Sequence, residues 1–139
     1  MKNKTVLITG AARNIGAAIA EELHSCGMNV IVHYNNSEEG ACELVKKLNA
    51  NRHDSAISIK ADLEKEDHYI HLVNTALNFK GHIDVLINNA SAFYQTSLNN
   101  LNIEQWNELI NINLKAPLFI SQLAAKSLGE SKGCIINIT

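Results

Sequence analysis

The chain has 139 residues, of which 46% are hydrophobic and 19% are charged, and its formal net charge at pH 7 is −2. That length is enough to bury one hydrophobic core, and nothing in the composition indicates a second domain. The weakly acidic balance excludes the basic surface that nucleic acids and anionic lipids require. Because no apolar run approaches membrane-spanning length, we expect a soluble protein with one domain over residues 1–139.

The cysteine and histidine positions show no pattern typical of a metal site. Cys26, Cys42 and Cys134 are odd in number and far apart in the sequence, which indicates reduced, structural thiols in a cytoplasmic protein. His68 and His71 have helical i,i+3 spacing and are interpreted as part of a solvated helix face. The sequence therefore predicts no bound metal.

Short apolar runs alternate with amphipathic segments along the whole chain. The predicted strands cover residues 6–8, 30–32, 56–59, 85–87 and 135–138. The predicted helices cover residues 15–25, a stretch after Ser37 that includes 41–48, residues 66–79, and a long region from 103 to 128. Gly27 and Gly81 are predicted to end the first and third helices.

Apolar residues in these helices recur at the three- and four-residue spacing that forms one buried face. In the first three helices, the residues predicted to lie on such a face are Ile15, Ile19, Leu23, Ala41, Leu44, Val45, Leu48, Ile70, Val73 and Leu77. Ser37 is predicted to cap the second helix through its hydroxyl, which can accept a hydrogen bond from a free amide of the first turn.

The strands are apolar on both faces and alternate with helices, a pattern typical of a parallel sheet that is covered on both sides. Right-handed crossovers between successive strands favour an α/β fold with a Rossmann-type doubly wound sheet and strand order 3-2-1-4-5. In such a sheet, ligands bind at the edge where the carboxyl ends of the strands meet.

The strongest motif is T-G-A-A-R-N-I-G, residues 9–16, between the first strand and the first helix. Gly10 permits a sharp turn, and Gly16 permits close packing of the helix on the strand. The free amides at the start of the helix can then face a pyrophosphate. At the first strand–helix junction of a β-α-β-α-β pattern, this motif predicts a dinucleotide site in preference to a turn without a ligand.

The second strand ends in H-Y-N-N-S, residues 33–37, without a carboxylate. A carboxylate there would hold the ribose 2′-hydroxyl of NAD and repel the 2′-phosphate of NADP. Neutral donors, helped by Arg13, favour the phosphate, so the predicted cofactor is NADP or NADPH. After the third strand, Asp62 is interpreted either as a helix N-cap or as an acceptor for the adenine amino group.

These residues, taken in order, resemble those of the short-chain dehydrogenase/reductase superfamily. The motifs that carry the resemblance are the T-G-x5-G turn, Asp62 after strand three, Asn88-Asn89-Ala90 after strand four, and Trp106 with Asn113 in the long helix. Within the superfamily, residues 33–37 and N-A-S-A-F-Y at 89–94 are most similar to the pteridine reductases, which reduce dihydropterins with NADPH. Ser91 stands where most members have glycine.

The resemblance implies roles for individual residues of this chain. The residues that it implies at the cofactor site are Gly10, Arg13, Asn14, Ile15, Gly16, His33, Tyr34, Asn35, Asn36, Ser37, Asp62, Leu63, Asn89, Ala90 and Ser91. It implies that Ser91 and Phe93 contact the substrate and that the Phe93 ring stacks a pterin against the nicotinamide. The alternative for Phe93 is a buried aromatic in a loop. Asn113 is implied as a supporting catalytic residue.

One departure from the family concerns Asn14, which stands where members often have glycine or arginine. Asparagine can adopt the left-handed backbone conformation, but it supplies no cation. The other departure concerns the catalytic Tyr-x3-Lys pair and the Ser or Asp before it, which the resemblance places after the fifth strand and beyond Thr139. We therefore expect the N-terminal, cofactor-binding portion of a longer reductase, incomplete at its C-terminus and inactive by itself.

Pro117 is predicted to kink the long helix at Asn113, because proline has no amide to donate to the carbonyl four residues earlier. The freed carbonyl would face the site and could hold a water for a proton relay. The alternative is that Pro117 occupies the first turn of a separate helix.

Three functions stay open at this point. The leading expectation is NADPH-dependent reduction of a dihydropterin to a tetrahydropterin by the complete protein, as a homo-oligomer (a dimer or tetramer). In that reaction a hydride passes from the nicotinamide to the substrate, and a tyrosine assisted by a lysine supplies the proton. The alternatives are reduction of a 3-oxoacyl thioester or another carbonyl, and nucleotide binding without catalysis.

Overall fold

The structure, a computed structural model, describes all 139 residues. The strands are β1 (Thr5–Ile8), β2 (Asn29–Tyr34), β3 (Ala56–Lys60), β4 (Val85–Asn88) and β5 (Cys134–Asn137). The helices are α1 (Asn14–Ser25), α2 (Glu38–Asn51), α3 (Glu66–Lys80), α4 (Ile103–Ile110) and α5 (Ala116–Glu130), with a π-helical turn at Asn111–Lys115 between the last two. All strand pairs are parallel and their order is β3-β2-β1-β4-β5, which confirms the predicted topology.

The sheet separates two hydrophobic clusters. One cluster joins the sheet to α1 and α2, and the other joins it to α3 and α5. Side chains of β1 alternate between them, because Leu7 belongs to the second cluster whereas Val6 and Ile8 belong to the first. Both faces of the sheet are therefore covered by helices, as the doubly wound fold requires.

The buried face of α1 differs from the predicted one. Ile15 is 62% exposed, and the buried residues of α1 are Gly16, Ala20 and His24. The physical reason is close packing on the sheet, since a Cβ atom on Gly16 would lie 2.6 Å from the Gly10 carbonyl oxygen. Two small residues, Gly16 and Ala20, therefore face the sheet, and Ile19 packs at the margin of the core.

A similar correction applies to α3, in which Ile70 is 54% exposed and the neighbouring Tyr69 is buried. The Tyr69 hydroxyl donates a hydrogen bond of 2.8 Å to the Leu63 carbonyl, so the buried ring keeps its polar atom satisfied. Val73 is buried as predicted. Gly81 ends α3 in the left-handed conformation, with φ at +80°, also as predicted.

The predicted cap of α2 is wrong in one respect. Ser37 precedes the helix, but its hydroxyl accepts no hydrogen bond from the first turn. Glu38 and Glu39 lie in that turn, where carboxylates interact favourably with the positive end of the helix dipole. The Ser37 hydroxyl therefore remains free of a capping role.

The long helical region is interrupted near Asn113. The Ala116 amide donates to the Asn111 carbonyl, five residues earlier, and Pro117 is the second residue of α5. The irregularity thus takes the form of a π turn that includes Asn113 and ends two residues before the proline. Pro117 lies in the first turn of α5, as the alternative interpretation predicted, and a kink at Asn113 stays a prediction. A water held by the Asn113 carbonyl stays a prediction.

The three cysteine thiols are free and exposed. None of the helices combines the length and the apolar character needed to cross a membrane.

Candidate functional site

The glycine turn lies at the carboxyl end of β1. Gly10 has a φ of +64°, in the left-handed region that glycine adopts without strain. A Cβ atom at this position would lie 2.9 Å from the Ala90 Cα, in the segment that follows β4. The turn therefore depends on glycine both for its backbone angle and for its close approach to the neighbouring strand end.

Helix α1 begins with unpaired backbone donors. The amides of Asn14, Ile15 and Gly16 donate to no protein acceptor, and the side chain of Arg13, the N-cap residue, makes no capping hydrogen bond. Asn14 has a φ of +51°, in the left-handed region that asparagine can adopt. Free amides at the positive end of a helix are a ready-made site for an anion such as a pyrophosphate.

A partly buried hydrogen-bond network joins this turn to the segment after β4. The Thr9 hydroxyl accepts from the backbone amides of Asn89 and Ala90, at 3.0 Å each. The Asn89 side-chain amide donates to the carbonyls of Thr9 and Gly10, at 2.9 and 3.1 Å. The Asn89 side chain thus holds the turn through its carbonyls, and a contact of this residue with nicotinamide stays a prediction.

His33 lies beneath the site, contrary to the prediction that it lines the ligand surface. The imidazole is only 2% exposed. Its Nδ1 accepts from the Gly10 amide at 3.0 Å, and its Nε2 lies 3.0 Å from the Ala61 carbonyl. Burial lowers the pKa of His33 to about 4, so the ring is neutral at pH 7.

Two other residues predicted at the cofactor surface have buried side chains. Tyr34, at the end of β2, packs in the cluster under α1 and α2, and burial raises the pKa of its hydroxyl. Leu63, after β3, packs in the cluster under α3. Because side chains alternate along a strand, only part of the predicted set can face the ligand edge.

The polar residues at this edge come from two strand ends and the glycine turn. Arg13 is exposed in the glycine turn, which meets the end of β2 where the Ala11 amide donates to the His33 carbonyl. Asn35 and Ser37, which follow β2, are half-buried. The Asn35 amide reaches the Asp62 carboxylate at 3.5 Å, so the ends of β2 and β3 are joined here. Asn36, which lies between Asn35 and Ser37 in the sequence, is exposed.

Asp62 is not the N-cap of α3, because Lys65 occupies that position. The Asp62 carboxylate accepts from the Glu64 amide at 3.1 Å and lies 3.3 Å from the Lys65 ammonium. It therefore shapes the loop before α3, and its proposed role as an adenine acceptor stays a prediction.

Sequence reasoning missed the role of His68. Its Nδ1 accepts a 2.8 Å hydrogen bond from the Asp62 amide, so this half-buried ring holds the loop and does not merely face solvent. The only sequence signal is its position six residues after Asp62. A cleft of about 520 Å³ lies here, lined by Asn35, Lys60, Asp62, Lys65, Asp67, His68 and His71.

The segment after β4 presents an aromatic side chain to solvent. Phe93 is 92% exposed, which excludes the alternative of a buried loop aromatic, and Ser91 is also exposed. The Asn113 side chain clamps the residue between them, since it accepts from the Ala92 amide at 2.9 Å and donates to the Ala92 carbonyl at 2.8 Å. The π turn thus anchors this segment.

A second polar group missed from the sequence lies between the ends of β4 and β5. The Asn88 side-chain amide donates to the side-chain oxygen Oδ1 of Asn137 at 2.8 Å and to the Ser121 hydroxyl at 3.4 Å. Asn88 therefore joins two strands to α5, close to the edge at which the candidate site lies.

Comparison with known proteins identifies the family that this chain matches. The family model described as short chain dehydrogenase matches residues 4–139. The chain belongs to the short-chain dehydrogenase family. Among curated relatives, a 3-oxoacyl-[acyl-carrier-protein] reductase of Synechocystis sp. is 36% identical over 137 residues, which are 98% of this chain and 55% of the relative. An uncharacterized oxidoreductase of Methylorubrum extorquens is 34% identical over 139 residues, with 55% of its length covered.

Solved structures of family members have the same fold. A short chain dehydrogenase from Burkholderia cenocepacia in complex with NADP superposes with a TM-score of 0.93 at 35% identity. A blue fluorescent protein from a metagenomic library, in complex with NADPH, superposes with a TM-score of 0.92 at 33% identity. Both comparisons cover 98% of this chain and 55% of the other. The chain therefore spans about half the length of the family members that it matches.

Proposed function

We propose that the complete protein is an NADPH-dependent reductase and that residues 1–139 hold the dinucleotide. The observation that carries this proposal is the set of unpaired amides at Asn14, Ile15 and Gly16, presented by a glycine turn at the carboxyl edge of a parallel sheet. When bound, NADPH supplies the hydride. The residues of this chain would bind its phosphates and orient its two halves.

The choice of NADPH over NADH rests on charge at the end of β2. Arg13 is exposed and makes no salt bridge with any carboxylate, so its guanidinium is free for a phosphate. Asn35, Asn36 and the uncapped Ser37 hydroxyl add neutral donors. The nearest following carboxylate, on Glu38, lies inside the first turn of α2.

The cofactor preference can be tested by titrating the complete protein with NADPH and with NADH. Arg13→Met should weaken NADPH binding about tenfold and leave NADH binding nearly unchanged, because only NADPH carries the 2′-phosphate. Lys126→Met is the matched control, since Lys126 is also exposed but lies on α5. Equal affinity of the wild-type protein for the two cofactors would contradict the preference.

For the substrate, we propose a dihydropterin. Phe93 offers a flat apolar ring to solvent four residues after Asn89, which is tied to the glycine turn. The Asn113 clamp on Ala92 holds the neighbouring backbone in place. A planar heterocycle can stack on such a ring with a gain of about 1 kcal/mol beyond burial.

A 3-oxoacyl thioester is the second candidate substrate. It is favoured by the names of relatives in Synechocystis and in Staphylococcus epidermidis, both called 3-oxoacyl-[acyl-carrier-protein] reductases. An acyl chain has no ring to stack on Phe93, so the two candidates predict different effects of changing this residue.

The deciding assay measures NADPH oxidation by the complete protein with a dihydropterin and with a 3-oxoacyl thioester. If the pterin is the substrate, Phe93→Ala should raise its KM about fivefold or more and leave NADPH affinity nearly unchanged. Leu98→Ala is the control, because Leu98 is equally exposed in the same connecting segment. Activity only with the thioester would favour the second candidate, and nucleotide binding without activity would favour a non-catalytic role.

We also propose that the complete protein is a homo-oligomer. Helix α5 exposes the large apolar side chains of Leu118, Phe119 and Leu123, which a second subunit could cover. Light scattering after size-exclusion chromatography should give a dimer or tetramer, and a monomer at all concentrations would contradict this proposal.

A further inference from the structure

The buried His33 imidazole connects two parts of the candidate dinucleotide site that are distant in sequence. Its Nδ1 accepts from the amide of Gly10 in the glycine turn, and its Nε2 donates to the carbonyl of Ala61 after β3. Its own backbone carbonyl also accepts from the Ala11 amide at 2.9 Å. One residue of β2 therefore holds the turn at two adjacent amides.

We infer that His33 is a positioning residue that sets the separation between the glycine turn and the Asp62 end of β3. This inference rests on the proposed binding of NADPH. The free amides that would face the pyrophosphate begin four residues after Gly10, and Asp62, the predicted adenine acceptor, directly follows Ala61. The imidazole thus bridges the backbone beneath both ends of the adenosine diphosphate half of the site.

Only one form of the ring fits this geometry. Since the Gly10 amide donates to Nδ1, that nitrogen carries no proton, and the proton on Nε2 is donated to the Ala61 carbonyl. A protonated imidazolium would direct an N–H at the Gly10 amide and lose that hydrogen bond. Burial lowers the pKa of His33, which keeps the neutral form at physiological pH.

The chain provides a matched control in His24. This histidine is also buried, and its Nε2 lies 2.7 Å from the Ser55 hydroxyl, just before β3 begins. It is therefore at the amino edge of the sheet, opposite the candidate site. His24→Leu and His33→Leu make the same chemical change; the first removes one side-chain hydrogen bond and the second removes two, but only the second one releases the glycine turn.

The first measurement is amide hydrogen exchange in the complete protein without cofactor. His33→Leu should speed exchange in the peptide that contains Gly10 and Ala11 about tenfold beyond any change in His24→Leu. His33→Asn, which places an oxygen near the Nδ1 position, should restore slow exchange more than His33→Gln, which extends to the Nε2 position. Equal exchange of this peptide in the two leucine variants would overturn the inference.

The second measurement is the dissociation constant for NADPH, obtained by fluorescence titration of the same variants. His33→Leu should raise it about tenfold, and His24→Leu should change it less than threefold at a temperature where both are folded. If the wild-type protein binds no dinucleotide, the proposed function fails, while the exchange experiment still decides whether His33 holds the turn. If the wild type binds NADPH and His33→Leu binds it equally well, the inference about the site fails and the proposed function stands.

Discussion

Replacing Gly16 by alanine tests whether close packing of α1 on the sheet shapes the candidate site. The new Cβ atom would lie 2.6 Å from both the Asn89 side-chain amide nitrogen and the Gly10 carbonyl oxygen, whereas ordinary contacts begin at 3.4 Å. Either α1 must move outward or the Asn89 amide must leave its acceptors on Thr9 and Gly10. Overpacking of this kind costs about 1–3 kcal/mol, and each lost hydrogen bond costs about 1 kcal/mol.

A gain in helix propensity opposes this cost, because alanine in a helix is favoured over glycine by about 0.5–1 kcal/mol. We therefore expect Gly16→Ala to lower the free energy of unfolding by about 1–3 kcal/mol. Gly129→Ala isolates the propensity effect, since a Cβ atom on Gly129 in α5 meets nothing within 4 Å. That variant should be more stable than the wild type by about 0.5–1 kcal/mol.

The assay is urea unfolding of the complete protein, followed by circular dichroism, for the wild type and the two variants. The two alanine substitutions should change the unfolding midpoint in opposite directions, and Gly16→Ala should also weaken dinucleotide binding. A Gly16→Ala protein as stable as Gly129→Ala would refute the argument from close packing, because both would then report helix propensity alone.

Three further predictions follow from the same structure. The free energy of unfolding should fall as the pH drops from 6.5 to about 4, because the unfolded chain protonates His33 in this window whereas the folded chain keeps it neutral. The full loss of unfolding free energy is about 3 kcal/mol. In urea titrations, the unfolding free energy of His33→Leu should depend less on pH than that of the wild type, and an equal pH dependence would contradict this assignment to His33. Asn113→Ala should remove both hydrogen bonds to Ala92 and so speed limited proteolysis in residues 90–100. An unchanged rate of proteolysis would show that other contacts hold this segment. Gly81→Ala should cost about 1 kcal/mol of unfolding free energy from backbone strain alone, because φ is +80° and no atom lies within 4 Å of the new Cβ; a neutral result would indicate that the backbone adjusts.

The architecture could be predicted because its signals are local and repeated. Apolar runs such as Val6–Ile8 and Val30–Val32 alternate with amphipathic segments, and chirality then restricts the order of the strands. The glycine turn was also predictable, since Gly10 and Gly16 perform backbone functions that other residue types perform poorly.

Side-chain placement at the site could be predicted only in part. The exposure of Phe93 agrees with the sequence interpretation, and Asn14 adopts the left-handed conformation that asparagine permits. His33 and Leu63 were assigned to the ligand surface by their positions in a motif, yet both are buried. A motif shows which positions of the sequence belong to a ligand site. It does not show on which side of the strand end each side chain lies.

The amino-acid sequence by itself determined the sheet order, the glycine turn and the absence of a carboxylate at the end of β2, because each depends on residue type and periodicity. The tertiary structure alone decided which face of α1 is buried, how His33 is shared between Gly10 and Ala61, and how Asn113 clamps Ala92. The physical reason is that these features depend on tertiary packing, and the hydrogen bonds of His33 and Asn113 join residues 21 or more positions apart. Such contacts leave no periodic signal in the sequence, since they arise only when the strands and helices pack together.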